Sequence, residues 1–188
     1  MIRSSYILII AFFIFTGCKE KDPTPKPRAY PRVEFPERHY VIYDSVSCPF
    51  TFEYPDFAQI RNKDTDCWFD LFIPALSARI HCSYLPVKDR ADFDDLVKDA
   101  FVIAARINER ASYMEETRLK NAQGVHGLIL EWTGPAASPV HFFLTDSTNH
   151  FFKAALYFDA KVQPDSLAPV SAFIKEDIQR MINTFSWK

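Results

Sequence analysis

The chain has 188 residues, with 22 lysines and arginines against 24 aspartates and glutamates, for a formal net charge of −2. Its length is that of one domain with a sizeable core, and the absence of a basic stripe excludes a nucleic-acid-binding surface. Only four glycines occur, and their spacing excludes the dinucleotide-binding loop, the P-loop and the serine-hydrolase elbow, so we expect no cofactor.

The first 17 residues have the pattern of a secretory signal peptide. Arg3 gives a short positive start, and residues 6–15 form a continuous apolar run. This run is too short for a membrane-spanning helix, which needs about 20 apolar residues. It suits the apolar core of a signal peptide instead.

Residues 15–18, FTGC, resemble the lipobox of bacterial lipoproteins, with Phe15 standing where leucine is usual. The motif predicts that residues 1–17 are removed and that Cys18 is acylated, because its thiol is the nucleophile that accepts the diacylglyceryl group. One acyl chain anchors only marginally, at about 0.8 kcal/mol per buried methylene, whereas two or three anchor almost permanently. The alternative is an ordinary signal peptide with an incidental cysteine.

Residues 18–32 form a proline-rich segment that begins at this cysteine. Proline fixes φ and lacks an amide donor, which favours an extended polyproline II conformation. At about 3.1 Å per residue, some 14 residues would reach roughly 40 Å. The sequence therefore predicts a tether, followed by a single globular domain at residues 33–188. The prolines of the tether are Pro23, Pro25, Pro27 and Pro31.

Short segments rich in aromatic and branched residues predict β-strands on both sides of a helix. Prolines close three of them, as expected where a strand ends. Residues 146–150, between the last two segments, are typical of a hairpin loop. The predicted strands cover residues 39–43, 50–54, 67–73 and 78–85 before the helix, and residues 113–119, 125–132, 140–145 and 151–158 after it.

Two segments have apolar residues at the 3.6-residue period of a helix. The first covers residues 89–108 and has Asp89 as its cap, and the second runs from Asp165 or Ser166 to Thr184. Strands grouped around two helices predict an α+β domain, in which a mainly antiparallel sheet packs with two main helices. This layout also resembles the α/β/α sandwich of the PsbP and Mog1 type.

Three cysteines remain if Cys18 is acylated, namely Cys48, Cys67 and Cys82. An oxidising envelope allows one disulfide and leaves one thiol over, and the sequence leaves the pairing open. A zinc site needs closely spaced pairs such as CxxC, whereas the gaps here are 18 and 14 residues. We therefore expect no metal.

The segment SPVHFFLTDSTNHFF carries two pairs of adjacent phenylalanines, Phe142 with Phe143 and Phe151 with Phe152. Adjacent residues of a strand point to opposite faces of the sheet. If the sheet is covered on both faces, these four side chains belong to the core. If one face is open, they form an apolar patch that would bind a protein partner.

His81, His126 and His141 lie in predicted strands, where a hydrolytic site would combine a histidine with an acidic residue. Alternation places His81 on the same face as Arg79 and Ser83. We interpret that face as a polar side that faces solvent. The acidic residues considered for a hydrolytic pair are Asp70, Glu131 and Asp146.

Segments along nearly the whole mature chain resemble GldD, a family of gliding-motility lipoproteins of Bacteroidetes. None of these segments is a catalytic signature, and residues 101–123 are less similar. The similar segments are PKPRAYPRVEFP (25–36), CPFTFEYPDFA (48–58), CWFDLFIP (67–74), ARIHCSYLPV (78–87), VHGLI (125–129), HFFLTDSTNHFFKAALYFDA (141–160) and PDSLAPVSAFIKEDIQRMINTFSW (164–187).

The resemblance implies a lipidated, periplasm-facing envelope protein that is anchored to the inner or outer membrane through Cys18. Members are needed for gliding and for the associated type IX secretion system, so the partners would be other envelope proteins of that machinery. No enzyme activity is assigned to the family, and we expect a non-enzymatic structural or assembly component. The alternatives are a module that binds a small or peptidoglycan-like ligand and, further off, an envelope hydrolase.

Overall fold

The computed structural model describes residues 33–136, 138–159 and 164–188. The predicted signal peptide, the acylated Cys18 and the tether lie outside the described residues. The boundaries placed after residues 17 and 32 therefore stay predictions.

The described residues form ten β-strands, two α-helices and one 3-10 turn. The strands are β1 (Tyr40–Tyr43), β2 (Phe50–Pro55), β3 (Gln59–Asn62), β4 (Trp68–Ile73), β5 (Ala78–Pro86), β6 (Tyr113–Lys120), β7 (His126–Thr133), β8 (Val140–Thr145), β9 (His150–Phe158) and β10 (Ser186–Trp187). The helices are α1 (Arg90–Asn108) and α2 (Pro164–Thr184), and the 3-10 turn is Pro74–Leu76.

Seven strands make one sheet in the order β3-β4-β5-β9-β8-β7-β6, and three make a second sheet in the order β1-β2-β10. All neighbouring strands are antiparallel. The predicted α+β class, an antiparallel sheet with two main helices, is thereby confirmed. Helix α2 begins at Pro164, one or two residues before the predicted start.

The seven-stranded sheet has an inner face, covered by helix α2 and the small sheet, and an outer face, covered by helix α1. Phe50 and Phe52 of the small sheet stack with Phe69 and Phe185 in the inner core, at ring-centroid distances of 5.5 to 6.5 Å. The outer core is smaller. It consists of Ala104, Leu128, Leu130, Trp132 and Ala136.

The four adjacent phenylalanines divide between these two cores. Phe142 and Phe152 belong to the inner core. Phe151 lies on the outer face, where its ring stacks on that of Phe143 at 5.0 Å. Phe142, Phe151 and Phe152 are at most 3% exposed, and Phe143 is half-buried. Because the sheet is covered on both faces, these residues are core and form no exposed patch.

The structure resolves the cysteine pairing that the sequence left open. Cys48 and Cys67 form a disulfide, with a Cα–Cα distance of 5.6 Å. Of the three cysteines in the described part of the chain, Cys82 is the free thiol and is buried in the inner core. The disulfide joins the loop before strand β2 to the residue before strand β4.

Candidate functional site

The candidate site is a cleft between helix α1 and the outer face of the sheet. Helix α1 is capped by the Asp89 side chain, which accepts a hydrogen bond from the Asp92 amide. Ala104 is its single fully buried residue, so the helix covers the sheet without filling the space beneath it. The cleft has a volume of about 180 Å3. The polar residues that line it are His81, Ser83, His141, Lys153 and Tyr157.

One row of cross-strand neighbours sets the floor of this cleft. Asp70 of β4 pairs with His81 of β5, His81 with Ala155 of β9, and Ala155 with His141 of β8. Neighbouring strands lie about 4.8 Å apart, so the two histidines stand roughly 10 Å apart, with Ala155 on the strand between them.

Two further residues of strand β9 lie on the same face of the sheet and complete the floor of the cleft. Lys153 and Tyr157 lie two residues before and after Ala155 on strand β9, and residues two apart share a face of the sheet. The Tyr157 ring centroid is 5.1 Å from that of His81 and 6.1 Å from that of His141. Four large polar side chains therefore surround one small one.

The Asp70 carboxylate orients His81. His81 Nδ1 is hydrogen-bonded to Asp70 Oδ1, and Lys63 Nζ donates to Asp70 Oδ2 over 2.5 Å. Burial by itself would raise the pKa of Asp70, but the hydrogen bonds from Lys63 and His81 outweigh it and hold the pKa below its ordinary value. An ionised carboxylate only accepts hydrogen bonds, so Nδ1 carries the proton and Nε2 is left for a ligand.

His141 has the opposite environment. Burial, with a smaller contribution from the Lys153 charge, lowers its pKa to about 4, so the ring is neutral at neutral pH. Its Nε2 is buried without a hydrogen-bond partner. The ring packs edge-to-face on Trp132, with centroids 5.2 Å apart. His141 is thus an uncharged wall of the cleft.

Lys153 and Tyr157 are both partly withdrawn from water. Among the described residues, the half-buried Lys153 has no carboxylate within ion-pair distance. Burial raises the pKa of the Tyr157 hydroxyl, which therefore stays protonated and able to donate. Among the described residues that line the cleft, Lys153 supplies the one ammonium and none is acidic.

The structure tests the histidine and acid combinations weighed from the sequence. Asp70 and His81 do form a pair; His81 lines the cleft and its side chain is also 40% exposed, while Asp70 is buried beside it. The other two acids have different roles: Glu131 forms an ion pair with Lys175 at 2.7 Å, and Asp146 accepts three backbone amides within the β8–β9 loop. His126 is exposed.

No nucleophile completes the Asp70–His81 pair within the described residues. Ser83 lies two positions along the same strand, and no hydrogen bond joins its hydroxyl to the His81 ring. The described residues also contain no group of three or more histidine, cysteine, aspartate or glutamate side chains arranged to hold a metal ion.

A second polar cluster fixes the start of the described chain to helix α2. Arg38 donates to Asp177 Oδ1 at 3.0 Å and to the Phe173 carbonyl at 2.8 Å, and it forms an ion pair with Glu176. The Tyr40 hydroxyl donates to the same Asp177 oxygen at 2.8 Å. We call these contacts the Arg38 clasp. Beside the clasp, the rings of Phe35 and Phe173 stack at 4.5 Å.

Sequence reasoning missed Lys63, Lys153, Ala155 and Tyr157 as site residues. Alternation along strand β5 correctly placed His81 and Ser83 on one face. The missing information was the strand order, because β9 lies between β5 and β8 and brings its own residues between the two histidines.

The fold and the cleft define an α+β domain whose seven-stranded antiparallel sheet is covered by a helix on each face. A family model described as gliding motility lipoprotein GldD matches residues 20–187. The chain belongs to this family, which confirms the resemblance seen in the sequence. Membership makes the protein a gliding motility component of the lipoprotein type, held at the cell envelope.

Other comparisons add little to this family assignment. A search of curated proteins found no match. The Ran-binding protein Mog1p of Saccharomyces cerevisiae is similar at a TM-score of 0.49 and 11% identity, over 80% of this chain and 96% of that one. Cyanobacterial PsbP from Synechocystis sp. PCC 6803 is similar at a TM-score of 0.44 and 8% identity, over 88% of this chain and all of that one.

No helix within the described part of the chain has both the length and the apolar composition needed to cross a bilayer.

Proposed function

We propose that the protein is a non-enzymatic assembly component of the gliding machinery and its associated type IX secretion system, anchored through acylated Cys18 with its domain in the periplasm. The observation that supports this proposal is the extent of the family match, which begins at residue 20, two residues after the lipobox-like Cys18, and continues to residue 187.

The chemistry of the cleft supports a non-enzymatic role. In the Asp70–His81 pair, Lys63 donates a hydrogen bond to the second carboxylate oxygen of Asp70. The negative charge of Asp70 is therefore already balanced within the fold. The opposite histidine, His141, is buried and neutral. Hydrolysis would require an activated nucleophile beside one of these rings.

Other envelope proteins of the machinery are the proposed partners. Because the four adjacent phenylalanines are core, such a contact must use another surface. Ile42 and Val46 are the most exposed large apolar residues of the described chain, at 68% and 103%; Ile42 lies in the edge strand β1 of the small sheet, and Val46 lies in the loop that follows it. A photo-crosslinker at Val46 should attach to a gliding or secretion protein in the native envelope, whereas one at exposed Tyr113, on the far edge of the large sheet, should not.

The anchor is tested by Cys18→Ala. The variant should leave the membrane fraction for the soluble fraction, and cells that carry it as their only copy should glide poorly. Unchanged membrane fractionation would overturn the lipid anchor. Release without any loss of gliding would show that anchoring is dispensable for function.

A further inference from the structure

The cleft under helix α1 leaves room for a small molecule between the helix and the sheet. Protein interiors have few voids larger than a water molecule. A volume of about 180 Å3 exceeds the roughly 150 Å3 of an apolar cavity that accepts benzene. Ala155 lies on the floor of this space and is the smallest side chain in a row otherwise occupied by His81 and His141.

The polar side chains that line the cleft can donate hydrogen bonds to a bound anion. Lys153 presents an ammonium that lacks a counter-ion among the described residues. Tyr157 and Ser83 present hydroxyls that can donate, and none of the lining residues is acidic. A ligand carboxylate would supply the counter-ion that Lys153 lacks among the described residues.

The remaining walls are apolar. Ala100 and Ile103 come from helix α1, and Leu130 and Phe143 come from the sheet. Ligand pockets typically combine apolar walls with a few placed polar groups that fix the ligand's orientation. The volume limits the apolar part to about the size of one ring.

We propose that this cleft binds a small carboxylic acid with an apolar body of about one aromatic ring, its carboxylate on Lys153 and the hydroxyls of Tyr157 and Ser83, and its ring between Ile103 and Phe143. The site is independent of the anchoring role, since Cys18 and the cleft are separate parts of the chain. Helix α1 forms the roof, so a ligand enters at the edge of this helix.

The test is a titration of the purified full chain in detergent micelles with 3-fluorophenylacetate, followed by 19F NMR, with micelles alone as the blank. We expect saturable binding. Lys153→Gln should weaken it about tenfold or more, the range for a lost hydrogen bond to a charged group. Lys98→Gln, at an exposed lysine on helix α1, is the matched control and should bind like the natural chain.

A filling variant tests the location. Ala155→Leu should abolish binding while the melting temperature stays equal or rises, since it fills empty space. If that variant fails to fold, Ile103→Phe fills the same space from the helix. The neutral 3-fluorophenylacetamide should bind at least tenfold more weakly than the acid.

Three results would overturn the proposal. They are equal binding of the acid and the amide, undiminished binding by a folded filling variant, and no saturable binding up to about 10 mM, a concentration beyond the range of ordinary specific sites. None of these results bears on the membrane anchor, which Cys18→Ala tests separately.

Discussion

Asp70 and His81 face each other across the antiparallel pair of β4 and β5, and their side chains are hydrogen-bonded at the edge of the cleft. Lys63 reaches the same carboxylate from the loop between β3 and β4. Asp70 is almost fully buried, while the other two side chains are 40% and 45% exposed. A buried charge is thus connected to solvent through two donors.

Lys63→Ala should destabilise the domain at pH 7 by about 1–2 kcal/mol, because a buried carboxylate loses one of its two donors. Since the folded-state pKa of Asp70 is lowered, its contribution is present above the unfolded value near 3.8 and is lost as the pH falls through the folded value. Urea denaturation at a series of pH values measures this. A loss that persists unchanged at pH 2 would contradict it.

The Asp146 carboxylate should make a second contribution to the free energy of unfolding that is lost at acidic pH. Its carboxylate accepts the amides of Thr148, Asn149 and His150. Burial opposes ionisation, but these bonds prevail and lower the pKa to about 2. After allowance for solvent screening, we expect Asp146→Asn to cost about 1 kcal/mol at pH 7. The difference from the natural chain should shrink as the pH falls from about 4 to about 2, and thermal melts over this range measure it. A pH-independent difference would exclude the carboxylate charge as its cause.

Removing Arg38 from the clasp should lower the stability of the domain far more than removing the charge of its exposed partner Glu176. Arg38→Met leaves the Asp177 charge, 1% exposed, with only the Tyr40 hydroxyl, and we expect a loss of about 3–5 kcal/mol. Glu176→Gln, at the 70% exposed partner, should cost less than about 0.5 kcal/mol. Guanidinium denaturation compares the two variants.

The double variant Arg38→Met with Asp177→Asn is the control for this explanation. Removing the buried charge together with its partner should recover most of the loss. A double variant as unstable as Arg38→Met would mean that packing on Phe173, over which the guanidinium lies at 3.9 Å, accounts for the effect.

The disulfide should contribute about 3 kcal/mol, because its cysteines are 19 residues apart and the bond restricts the unfolded chain. Replacing Cys48 and Cys67 together with alanine, or adding a reductant, should lower stability by this amount. Cys82→Ala is the matched control, and its response to reductant should equal that of the natural chain. Equal denaturation midpoints with and without reductant would refute the prediction.

Cys82 should also resist alkylation in the native state. Burial raises its thiol pKa, and the thiolate is the reactive form. Mass spectrometry after iodoacetamide treatment should find Cys82 modified only when denaturant is present. Rapid labelling of the folded chain would show that the inner core opens under native conditions.

Local pattern predicted most of the fold. All eight predicted strands lie within one residue of those observed at either end, because alternation, aromatic content and closing prolines are local signals. Strand β3 was missed because Gln59–Asn62 is polar and largely exposed. Strand β10 was missed because its two residues are defined by pairing with β2, a contact between the two ends of the domain.

The site was predicted less well, for a physical reason. Sequence places residues on a face of their own strand, but a site depends on which strands are neighbours. Ala155 carries no chemical signal in the sequence. It becomes informative only when β9 lies between β5 and β8 and places its methyl group between two histidines.

The Arg38 clasp has a mechanical consequence. Whatever pulls on the chain ahead of residue 33 pulls first on helix α2, through Arg38 and Tyr40 on Asp177 and through Phe35 on Phe173. The adjacent face of that helix is buried in the inner core through Ile174, Ile178 and Met181. A pulling force on the chain ahead of residue 33 would therefore be transmitted through helix α2 to the inner core. The short hairpin of β1 and β2 would carry only part of that force.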